Sequence, residues 1–475
     1  MTLSSSQLIA AGRVLEAPFE VELELSGELK AAQCLEVLRL VPGRRVVAKM
    51  VVDGETFLGK LFLGSDASKY CLREKNGVEA LHNAGIKTAP LVGGGRLHDR
   101  GGEALLMEYL PNISHLSALA QPSSESGNEL LCSAVEMLAK LHDNGLEHQD
   151  CHLDNFLVTD QGLYLVDGDA VKQRNQLTDE QALLNLALFF VQLPLFLMPQ
   201  LPELTHIYCR CRGWHSGEIK SQLNVLVRQQ RADRQRRFLK KIYRDCTQFK
   251  VDQSKSRFVV VDRVEESEEL IDLIDHLDEA IATSELLKDG NSATVAKVVR
   301  GNRSFVVKRY NMKSLSHRLK RCLQPSRAWL SWRNAQLLCF YGVATPKPLA
   351  MVEQRVAGLR GKAYFITDYV EAPSAQAFVE QVGDVEQTQW LAQQFKLLFS
   401  LMRLLSISHG DFKESNFLVK NDALCVIDLD SMQLHHSEKA LMSALAKDGE
   451  RFMKNWSADP RLSAMMSQAL SDTSL

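Results

Sequence analysis

One polar cassette occurs twice in this chain of 475 residues, and it limits the possible folds more strongly than any other feature of the sequence. The two copies read "HQDCHLDNFLV" from position 148 and "HGDFKESNFLV" from position 409. A further Asp follows each copy at the end of a strand-like run, "LYLVDGD" or "LCVIDLD". A repeat of this length predicts two copies of one domain. The equivalent residues, each pair separated by the same 261 positions, are Asp150 and Asp411, Asn155 and Asn416, and Asp167 and Asp428.

The segments before the two cassettes follow one plan. In the first half, "RRVVAKMVVDGETFLGKLF" predicts two strands joined at Asp53-Gly54, with Lys60 on the second strand. In the second half, "ATVAKVVRGNRSFVVKRY" predicts the same hairpin, with a turn at Gly301-Asn302 and with Lys308. Each lysine is followed by a helical segment, further strands and a mostly helical stretch. The predicted fold class is therefore α+β, with two tandem domains in which strands come first and helices second.

Two charge runs set the predicted domain boundaries. Residues 228–245 are basic and residues 265–285 are acidic, and both are interpreted as helices that join the two halves. The predicted parts are an N-terminal extension over 1–30, a first domain over 31–225, a charged helical linker over 226–284 and a second domain over 285–475.

The composition is typical of a globular protein in a reducing compartment. The net charge is −2, and the ten cysteines show no paired spacing, so a disulfide framework is not expected. The N-terminus lacks the basic and apolar regions of a secretion signal. The most apolar stretch, 182–201, is interrupted by polar residues and prolines, and it predicts a buried core helix rather than a transmembrane segment. We expect a cytoplasmic protein.

The cassettes carry the side chains that phosphoryl transfer requires. The reaction needs a lysine on the nucleotide phosphates, oxygen ligands for Mg²⁺ and an acid that accepts the hydroxyl proton. In the second half, Lys308 would hold the phosphates, Asp411 would accept the proton and Lys413 would neutralise the γ-phosphate. Asn416 and Asp428 would bind Mg²⁺. The first half offers the same roles to Lys60, Asp150, His152, Asn155 and Asp167, and the histidines that brace the loops would be His148 and His409.

Other parts of a nucleotide site are less distinct in the sequence. Gly43 and Gly290 lie between the first two strands of the hairpins and are modest candidates for covering the phosphates, since neither belongs to a GxGxxG motif. The segments "MEYL" (107–110) and "TDYV" (367–370) are expected to bind adenine through their main chain.

These motifs resemble the Kdo/WaaP lipopolysaccharide kinase family, which has a protein-kinase-like fold. In the second half the resemblance is carried by "FVVKRYNMKSLSHRLKRCLQPSRAWLSWRNAQLLCFYGVATPKPLA", "ISHGDFKESNFLV", "VIDLDS" and "KDGERFMKNW", and in the first half by "HQDCHLDNFLV" and the apolar stretch. It implies a tandem member with bilobal kinase domains, ATP and Mg²⁺ as cofactors, and phosphorylation of a sugar hydroxyl in the lipopolysaccharide inner core. It also implies a location at the cytoplasmic face of the inner membrane. The lack of an APE motif argues against a protein substrate.

The two copies differ at the acid that steers a kinase lysine. Glu74 fits this role in the first half, with Glu79 as the alternative, whereas the equivalent of Glu74 in the second half is Ser331. Residues 290–352 contain no Asp or Glu. Either the second copy is impaired or an acid from elsewhere reaches Lys308, and the resemblance favours the second alternative. We expect at least one copy to transfer phosphate and favour the second.

The same stretch, 290–352, contains twelve basic residues. They would attract an anionic glycolipid or membrane surface, or they would neutralise the acidic segment 265–285. Trp329 and Trp332 would lie at the level of the lipid headgroups. Nucleic acid is not expected, because stacking platforms and a known binding fold are missing. Two other functions stay open: a kinase of a soluble sugar or other small molecule, and a pseudokinase scaffold that binds nucleotide or a partner without catalysis.

Overall fold

A computed structural model of the chain describes residues 2–120, 125–311, 324–356, 359–382, 385–457 and 459–471. The chain divides into two units, residues 1–231 and 232–475, and the division falls inside helix α7 (Ser216–Lys241). In each unit a strand-rich part precedes a helix-rich part, so the predicted α+β class is confirmed.

Six antiparallel strands of the first unit close into a barrel in the order β1-β2-β3-β4-β6-β5. Apolar side chains such as Val21, Ala48 and Leu61 alternate inward along the strands and form its core. The turn predicted at Asp53-Gly54 is confirmed, and both residues have the positive φ that such a two-residue turn requires. The barrel strands are β1 (Phe19–Leu25), β2 (Glu28–Val41), β3 (Arg45–Val52), β4 (Glu55–Leu63), β5 (Leu91–Leu97) and β6 (Gly102–Glu108).

The rest of the first unit is mostly helical. The apolar stretch 182–201 lies largely in α5 and in a 3₁₀ turn, and its Leu186, Phe189 and Phe190 are fully buried, which confirms the predicted core position. Within the described residues, none of the helices has the length and apolarity that a membrane span requires. The helices are α1 (Ser5–Ala11), α2 (Ala67–Asn83), α3 (Leu116–Leu119), α4 (Glu125–Asp143), α5 (Asp179–Phe190) and α6 (Leu201–Arg212); the short strands are β7 (Ser114–His115), β8 (Leu146–His148), β9 (Phe156–Thr159), β10 (Gly162–Leu165) and β11 (Val171–Gln173).

The strand-rich part of the second unit is a seven-stranded antiparallel sheet in the order β12-β13-β17-β18-β16-β15-β14. The predicted hairpin at Gly301-Asn302 is confirmed. Two short helices, α8 (Glu268–Asp275) and α9 (Leu277–Ala282), pack apolar residues such as Leu273 and Ile281 against the sheet. The strands are β12 (Phe249–Gln253), β13 (Arg257–Asp262), β14 (Glu285–Asp289), β15 (Ala293–Arg300), β16 (Arg303–Tyr310), β17 (Pro348–Val356) and β18 (Leu359–Asp368).

The helix-rich part of the second unit surrounds a cluster of aromatic rings. Phe395 contacts Phe412, Phe417 and Phe452 at ring-centroid distances of 4.6–6.1 Å. This cluster anchors the second cassette, since Phe412 and Phe417 belong to it. The remaining helices are α10 (Arg327–Phe340), α11 (Ala375–Val382), α12 (Val385–Leu404), α13 (Glu438–Asn455) and α14 (Pro460–Ser471), and the short strands are β19 (Ile407–Ser408), β20 (Phe417–Lys420), β21 (Ala423–Val426) and β22 (Gln433–Leu434).

The predicted boundaries differ from the observed units at two places. Residues 1–30, predicted as an extension, contain α1, β1 and the start of β2, and therefore belong to the first unit. Most of 226–284, predicted as a linker, belongs to the second unit, because β13 pairs with β17 and the apolar faces of α8 and α9 cover the sheet. The acidic segment is two short helices rather than one bridging helix.

Candidate functional site

The two cassettes form the same hydrogen-bonded loop. His148 Nε2 donates to the carbonyl oxygen of Val166 at 3.0 Å, and His409 Nε2 donates to that of Ile427 at 3.0 Å. Both imidazoles are buried. Burial lowers the pKa of His409, which keeps this side chain neutral at pH 7. Each histidine therefore ties its cassette to the residue before the later Asp.

Each asparagine closes its loop from within. Asn155 Nδ2 donates to the carbonyl oxygen of Asp150, and Asn416 Nδ2 donates to that of Asp411, both at 2.8 Å. In the second unit the same nitrogen also lies 3.3 Å from Asp411 Oδ2. Because the amide nitrogen is used in this way, the Oδ1 atom is the part of each side chain left for a ligand.

The later aspartates share an uncommon backbone conformation. Asp167 has φ 71° and Asp428 has φ 60°, both in the left-handed region. Such a conformation costs a non-glycine residue about 1–3 kcal/mol, and strain of this kind is concentrated at functional sites. Its presence in both units supports a functional role for the position.

In the first unit the lysine of β4 meets the helix glutamate. Lys60 Nζ lies 2.5 Å from Glu74 Oε1, and both side chains are buried. Glu74 also accepts hydrogen bonds from the N–H groups of Gly168 and Asp169, at 3.1 and 3.2 Å. The alternative residue, Glu79, is exposed. Glu74 is therefore the acid that pairs with the lysine.

Gly77 allows α2 to approach the segment that carries these N–H groups. A Cβ atom on Gly77 would lie 1.9 Å from the carbonyl oxygen of Gly168, so only glycine fits. The corresponding residue of α10 is Asn334, whose Nδ2 donates to the carbonyl oxygens of Leu429 and Met432 at 2.7 and 2.9 Å. The first unit thus joins helix and segment by direct contact, and the second joins them through a side chain.

In the second unit the acids that pair with the lysine come from the segment after the cassette. Lys308 Nζ forms an ion pair with Asp428 and lies 3.2 Å from Asp430 Oδ2. Arg327 Nη2 lies 2.5 Å from the same Asp430 oxygen. The acid left open by the sequence is therefore supplied from outside residues 290–352.

The ion pair is stable near neutral pH. Burial lowers the pKa of Lys308, but Tyr310, Asp428 and Asp430 raise it by more. Burial likewise raises the pKa of Asp428, and the charge of Lys308 and its hydrogen bond lower it by more. Ser331, at the position of Glu74, is 2.6 Å from the hydroxyl of Tyr310 instead.

A cavity of about 540 Å³ in the second unit brings together most of its predicted site residues. Lys308, Lys413, Asn416 and Asp428 line it, together with residues 367–370, the segment predicted to bind adenine. Apolar side chains complete the walls, among them Leu287, Val295, Val306, Leu418 and Ile427. The cavity therefore combines an apolar region with a charged end.

Two other predicted residues of the second unit lie outside the cavity lining. The carboxylate of Asp411 is held by Arg451 Nη1 at 2.7 Å and by Lys413 Nζ at 3.3 Å. Its link to the cavity is through Lys413 and Asn416, which contact it and line the cavity. Gly290 donates its N–H to the carbonyl oxygen of Ala293 at 3.1 Å and shapes the β14–β15 turn.

The remaining predicted residues of the first unit make local contacts. Gly43 has φ 69° in the β2–β3 turn. His152 Nδ1 accepts a hydrogen bond from the N–H of Asp154 at 3.3 Å and so caps a 3₁₀ turn. Asp150 is exposed. Asp167 Oδ1 lies 3.7 Å from Arg45 Nη1, and the same Arg45 atom lies 4.0 Å from Glu74.

The sequence reasoning missed the helix residues that support the cassettes. Asp448 of α13 accepts hydrogen bonds from the N–H groups of His409 and Gly410 at 2.7 and 2.9 Å. Asn185 of α5 takes this place in the first unit, where it accepts from the N–H of His148 at 3.3 Å and donates to its carbonyl oxygen at 2.8 Å. No common spacing relates the two. The role of Asp430 was also missed, although the repeat gives a signal for it, because Asp169 precedes it by the same 261 positions.

Most basic side chains described within 290–352 are already paired. Arg300, Arg303, Arg309 and Lys347 lie 3.1–3.8 Å from carboxylates of the acidic segment 265–285, as the neutralisation alternative predicted. Four more basic residues of this stretch that were expected to attract anions, Lys313, Arg318, Lys320 and Arg321, lie outside the described residues.

The tryptophans of this stretch pack inside the unit. Trp332 is fully buried and donates its Nε1–H to the carbonyl oxygen of Ile242 at 3.1 Å, so the prediction that it reaches lipid headgroups is wrong. Trp329 stacks on Tyr243 with ring centroids 3.9 Å apart. Both rings stabilise α10 against the residues that follow α7.

The charged end of the 540 Å³ cavity has the ligand atoms that a magnesium nucleotide requires. Asn416 and Asp428 offer the hard oxygen atoms that Mg²⁺ prefers, and Lys308 and Lys413 offer cations for phosphate oxygens. In the first unit the carboxylate of Asp167 faces the guanidinium of Arg45, just as Asp428 faces Lys308 in the second unit.

The match with known proteins agrees with this duplicated arrangement. The model of the lipopolysaccharide kinase (Kdo/WaaP) family matches residues 68–188 of the first unit and 278–457 of the second, together more than half of the chain. No curated protein matches the chain. The chain therefore belongs to the lipopolysaccharide kinase (Kdo/WaaP) family, whose model matches it in two regions, consistent with a tandem arrangement.

Proposed function

We propose that this protein transfers the γ-phosphoryl group of ATP, with Mg²⁺, to a sugar hydroxyl of the lipopolysaccharide inner core, and that the second unit performs the reaction. The observation that carries this proposal is the cavity on which Lys308, Lys413, Asn416 and Asp428 meet. The family supplies the kinase activity and the class of acceptor.

The walls of the cavity suit the parts of a nucleotide. Val295, Val306 and Leu418 would enclose the adenine ring, and residues 367–370, which are predicted to bind adenine through their main chain, line the same cavity. Lys308 would bind the α- and β-phosphates, and Asn416 and Asp428 would hold the metal. When bound, ATP would bring the phosphoryl group and Mg²⁺ would neutralise its oxygens.

Asp411 would accept the proton of the acceptor hydroxyl. Arg451 and Lys413 contact its two carboxylate oxygens, and Asn416 holds its main chain. Such contacts fix the orientation of a general base before the acceptor arrives, which avoids reorganisation during the reaction. Lys413 would also bind the γ-phosphate, since it lies both on the cavity and on Asp411.

The first unit is proposed to share the bilobal kinase-like fold and to act as a partner domain. Lys60, Asp150, Asn155 and Asp167 repeat the second set in sequence and in loop geometry. The second unit is the stronger candidate for the reaction, because its lysines, asparagine and later Asp meet on one cavity. Peripheral contact with the cytoplasmic face of the inner membrane is part of the proposal, because the acceptor is a glycolipid.

The test is phosphate transfer by the purified full chain to core glycolipid that lacks the phosphate. Mass spectrometry should find one added phosphoryl group. The transfer should occur only when both ATP and Mg²⁺ are present. Core isolated from cells without this chain should lack the same group. Transfer to a soluble sugar with no effect of lipid would favour the small-molecule kinase, and nucleotide binding without transfer to any acceptor would favour the scaffold.

A further inference from the structure

A second cavity, of about 470 Å³, lies beside α10 in the second unit. Leu330 and Arg333 of α10 line one side, and the segment 430–434 lines the other. Gly410 of the cassette completes the wall. Because Gly410 directly precedes Asp411, this cavity borders the loop that carries the proposed general base. It shares no lining residue with the nucleotide cavity.

Arg333 faces this cavity without a carboxylate partner. Its Nε donates to Asn334 Oδ1 at 3.1 Å, and neither Nη atom has a hydrogen-bond partner among the described residues. No carboxylate oxygen of the described chain lies within 4.0 Å of it. Burial lowers the pKa of Arg333, which reflects the free-energy cost of removing a charge from water. A guanidinium left in this state has one free N–H edge, formed by its two Nη atoms, that matches a phosphate or carboxylate.

The neighbouring charges do not supply the missing anion. The Asp430 carboxylate, on the same cavity, is already paired with Lys308 and Arg327. Asp411 is paired with Arg451 and Lys413. Both carboxylates are therefore already neutralised, and neither would repel an anion bound at Arg333.

The cavity depends on two residues that the first unit lacks. Gly410 has φ +78°, and a Cβ atom at this position would lie 2.6 Å from the carbonyl oxygen of Ser431, so no side chain fills the space. The equivalent residue in the first unit is Gln149, and the equivalent of Arg333 is Asn76. The feature is thus specific to the unit proposed to be catalytic.

We propose that Arg333 binds an anionic group of the acceptor, a phosphate or a carboxylate, and thereby positions the acceptor hydroxyl at Asp411. This inference rests on the proposed function of the second unit. It identifies the acceptor as a molecule with an oxyanion close to the hydroxyl that is phosphorylated, and it gives Arg333 a role in positioning and specificity rather than in the chemical step.

The kinetic test compares Arg333→Gln, Arg333→Lys and the control Arg257→Gln in the full chain. Arg257 is a β13 residue whose charge is paired with Asp252 and Asp275 and which lines neither cavity. Arg333→Gln should raise the KM for core glycolipid about 10- to 100-fold, the range for a lost hydrogen bond to a charged group, with kcat and the KM for ATP little changed. Arg333→Lys should give an intermediate KM, and Arg257→Gln should match the unaltered protein. An unchanged acceptor KM in Arg333→Gln would overturn the proposal.

A binding test on the unaltered chain does not depend on catalysis or on a folded variant. Arg333 is labelled with phenylglyoxal, and the modified peptides are quantified by mass spectrometry with inorganic phosphate or with chloride at equal ionic strength. Phosphate should protect Arg333 several-fold more than Arg257, and core glycolipid with its anionic groups removed should protect it less than intact glycolipid. Equal labelling in phosphate and chloride would refute the anion site, whereas protection without phosphoryl transfer would refute only the proposed function.

Discussion

The two units hold the same cassette with the same hydrogen bonds, yet they neutralise the buried lysine with acids from different elements. In the first unit the acid is Glu74 of helix α2. In the second unit the acids are Asp428 and Asp430, from the segment that follows β21. The comparison teaches that the pairing of the lysine is retained while the element that supplies the acid changes.

This difference changes how each unit uses its later Asp. In the second unit Lys308 is paired with Asp428, the proposed metal ligand, so nucleotide and metal would replace an existing contact. In the first unit Lys60 is occupied by Glu74, and Asp167 faces Arg45 instead. We expect the second unit to respond to magnesium nucleotide and the first unit to respond less, because Lys308 and Asp428 line one cavity with Lys413 and Asn416.

The largest expected difference between the units concerns catalysis. Asp411→Asn should lower kcat about 10²- to 10⁴-fold, the usual contribution of a general base. Asp150→Asn, the matched change in the first unit, should lower kcat less than about threefold, since that unit is not assigned the reaction. Initial rates of phosphate transfer to core glycolipid would show this, and a larger loss in Asp150→Asn would reverse the assignment of the units.

The second prediction concerns the stability of each buried ion pair. Lys60→Met should destabilise the first unit by about 3–5 kcal/mol, because the buried Glu74 would keep only Arg45, 4.0 Å away, as a cationic neighbour. Lys308→Met should cost less, since Asp430 keeps Arg327 and Asp428 is partly exposed. Denaturant unfolding followed by peptide-resolved hydrogen exchange separates the two units.

The double variant Lys60→Met/Glu74→Leu is the control for this prediction. It removes both charges, so most of the lost stability should return. If Lys60→Met alone unfolds as the unaltered chain does, the pair contributes little and the contrast between the units would be weaker.

The third prediction concerns the pH dependence of stability, which a buried histidine of the first unit should control. His142 is hydrogen-bonded to Tyr208 and Asn185, and burial lowers its pKa to about 4. Because the unfolded chain binds this proton more tightly, the first unit should lose about 1.4 kcal/mol per pH unit between pH 6.5 and 4, roughly 3 kcal/mol in all. In the second unit burial raises the pKa of Asp448, which acts in the opposite direction as pH falls.

Hydrogen exchange at pH 7 and pH 5 checks this contrast. Peptides of α4 and α5 should lose protection at pH 5, after correction for intrinsic exchange, and peptides of α13 should not. In His142→Gln the loss in α4 and α5 should disappear. A loss of protection that persists in this variant would assign the acid sensitivity to another group.

The smallest expected effect concerns Arg45. Arg45→Ala should free Asp167, so that Mg²⁺ strengthens nucleotide binding by the first unit about fivefold more than it does in the unaltered chain. A fivefold change in affinity corresponds to about 1 kcal/mol, which is typical of a partly exposed ion pair. Calorimetry with Mg²⁺ or EDTA would measure this in the Asp428→Asn background, which removes the proposed metal ligand of the second unit. Arg44→Ala, next in sequence and bonded to Tyr70, is the control. An equal response of both variants would contradict the role given to Arg45.

Local patterns allowed part of this molecule to be predicted from its sequence. Some features depend on residues that are close together in the sequence, and such features can be predicted from it directly. They include the hairpins at Asp53-Gly54 and Gly301-Asn302 and the pairing of Lys60 with Glu74. The acid partner of Lys308 depends on a fold that brings β16 to a segment 120 residues later. The division of the chain into units also depends on such distant pairing, since β13 becomes a core strand only by pairing with β17, which follows a long intervening segment.

The closed barrel of the first unit has a consequence for behaviour at high concentration. A closed barrel presents no edge strand to another chain, because β1 pairs with β5 as well as β2. The sheet of the second unit ends in β12 and β14, whose outer backbone groups lack a strand neighbour among the described residues. These edge strands carry Lys250, Asp252, Glu285, Lys288 and Asp289, charges that oppose strand addition and aggregation. Closure removes the edge strands of the barrel, whereas side-chain charge must oppose strand addition at the edges of the seven-stranded sheet.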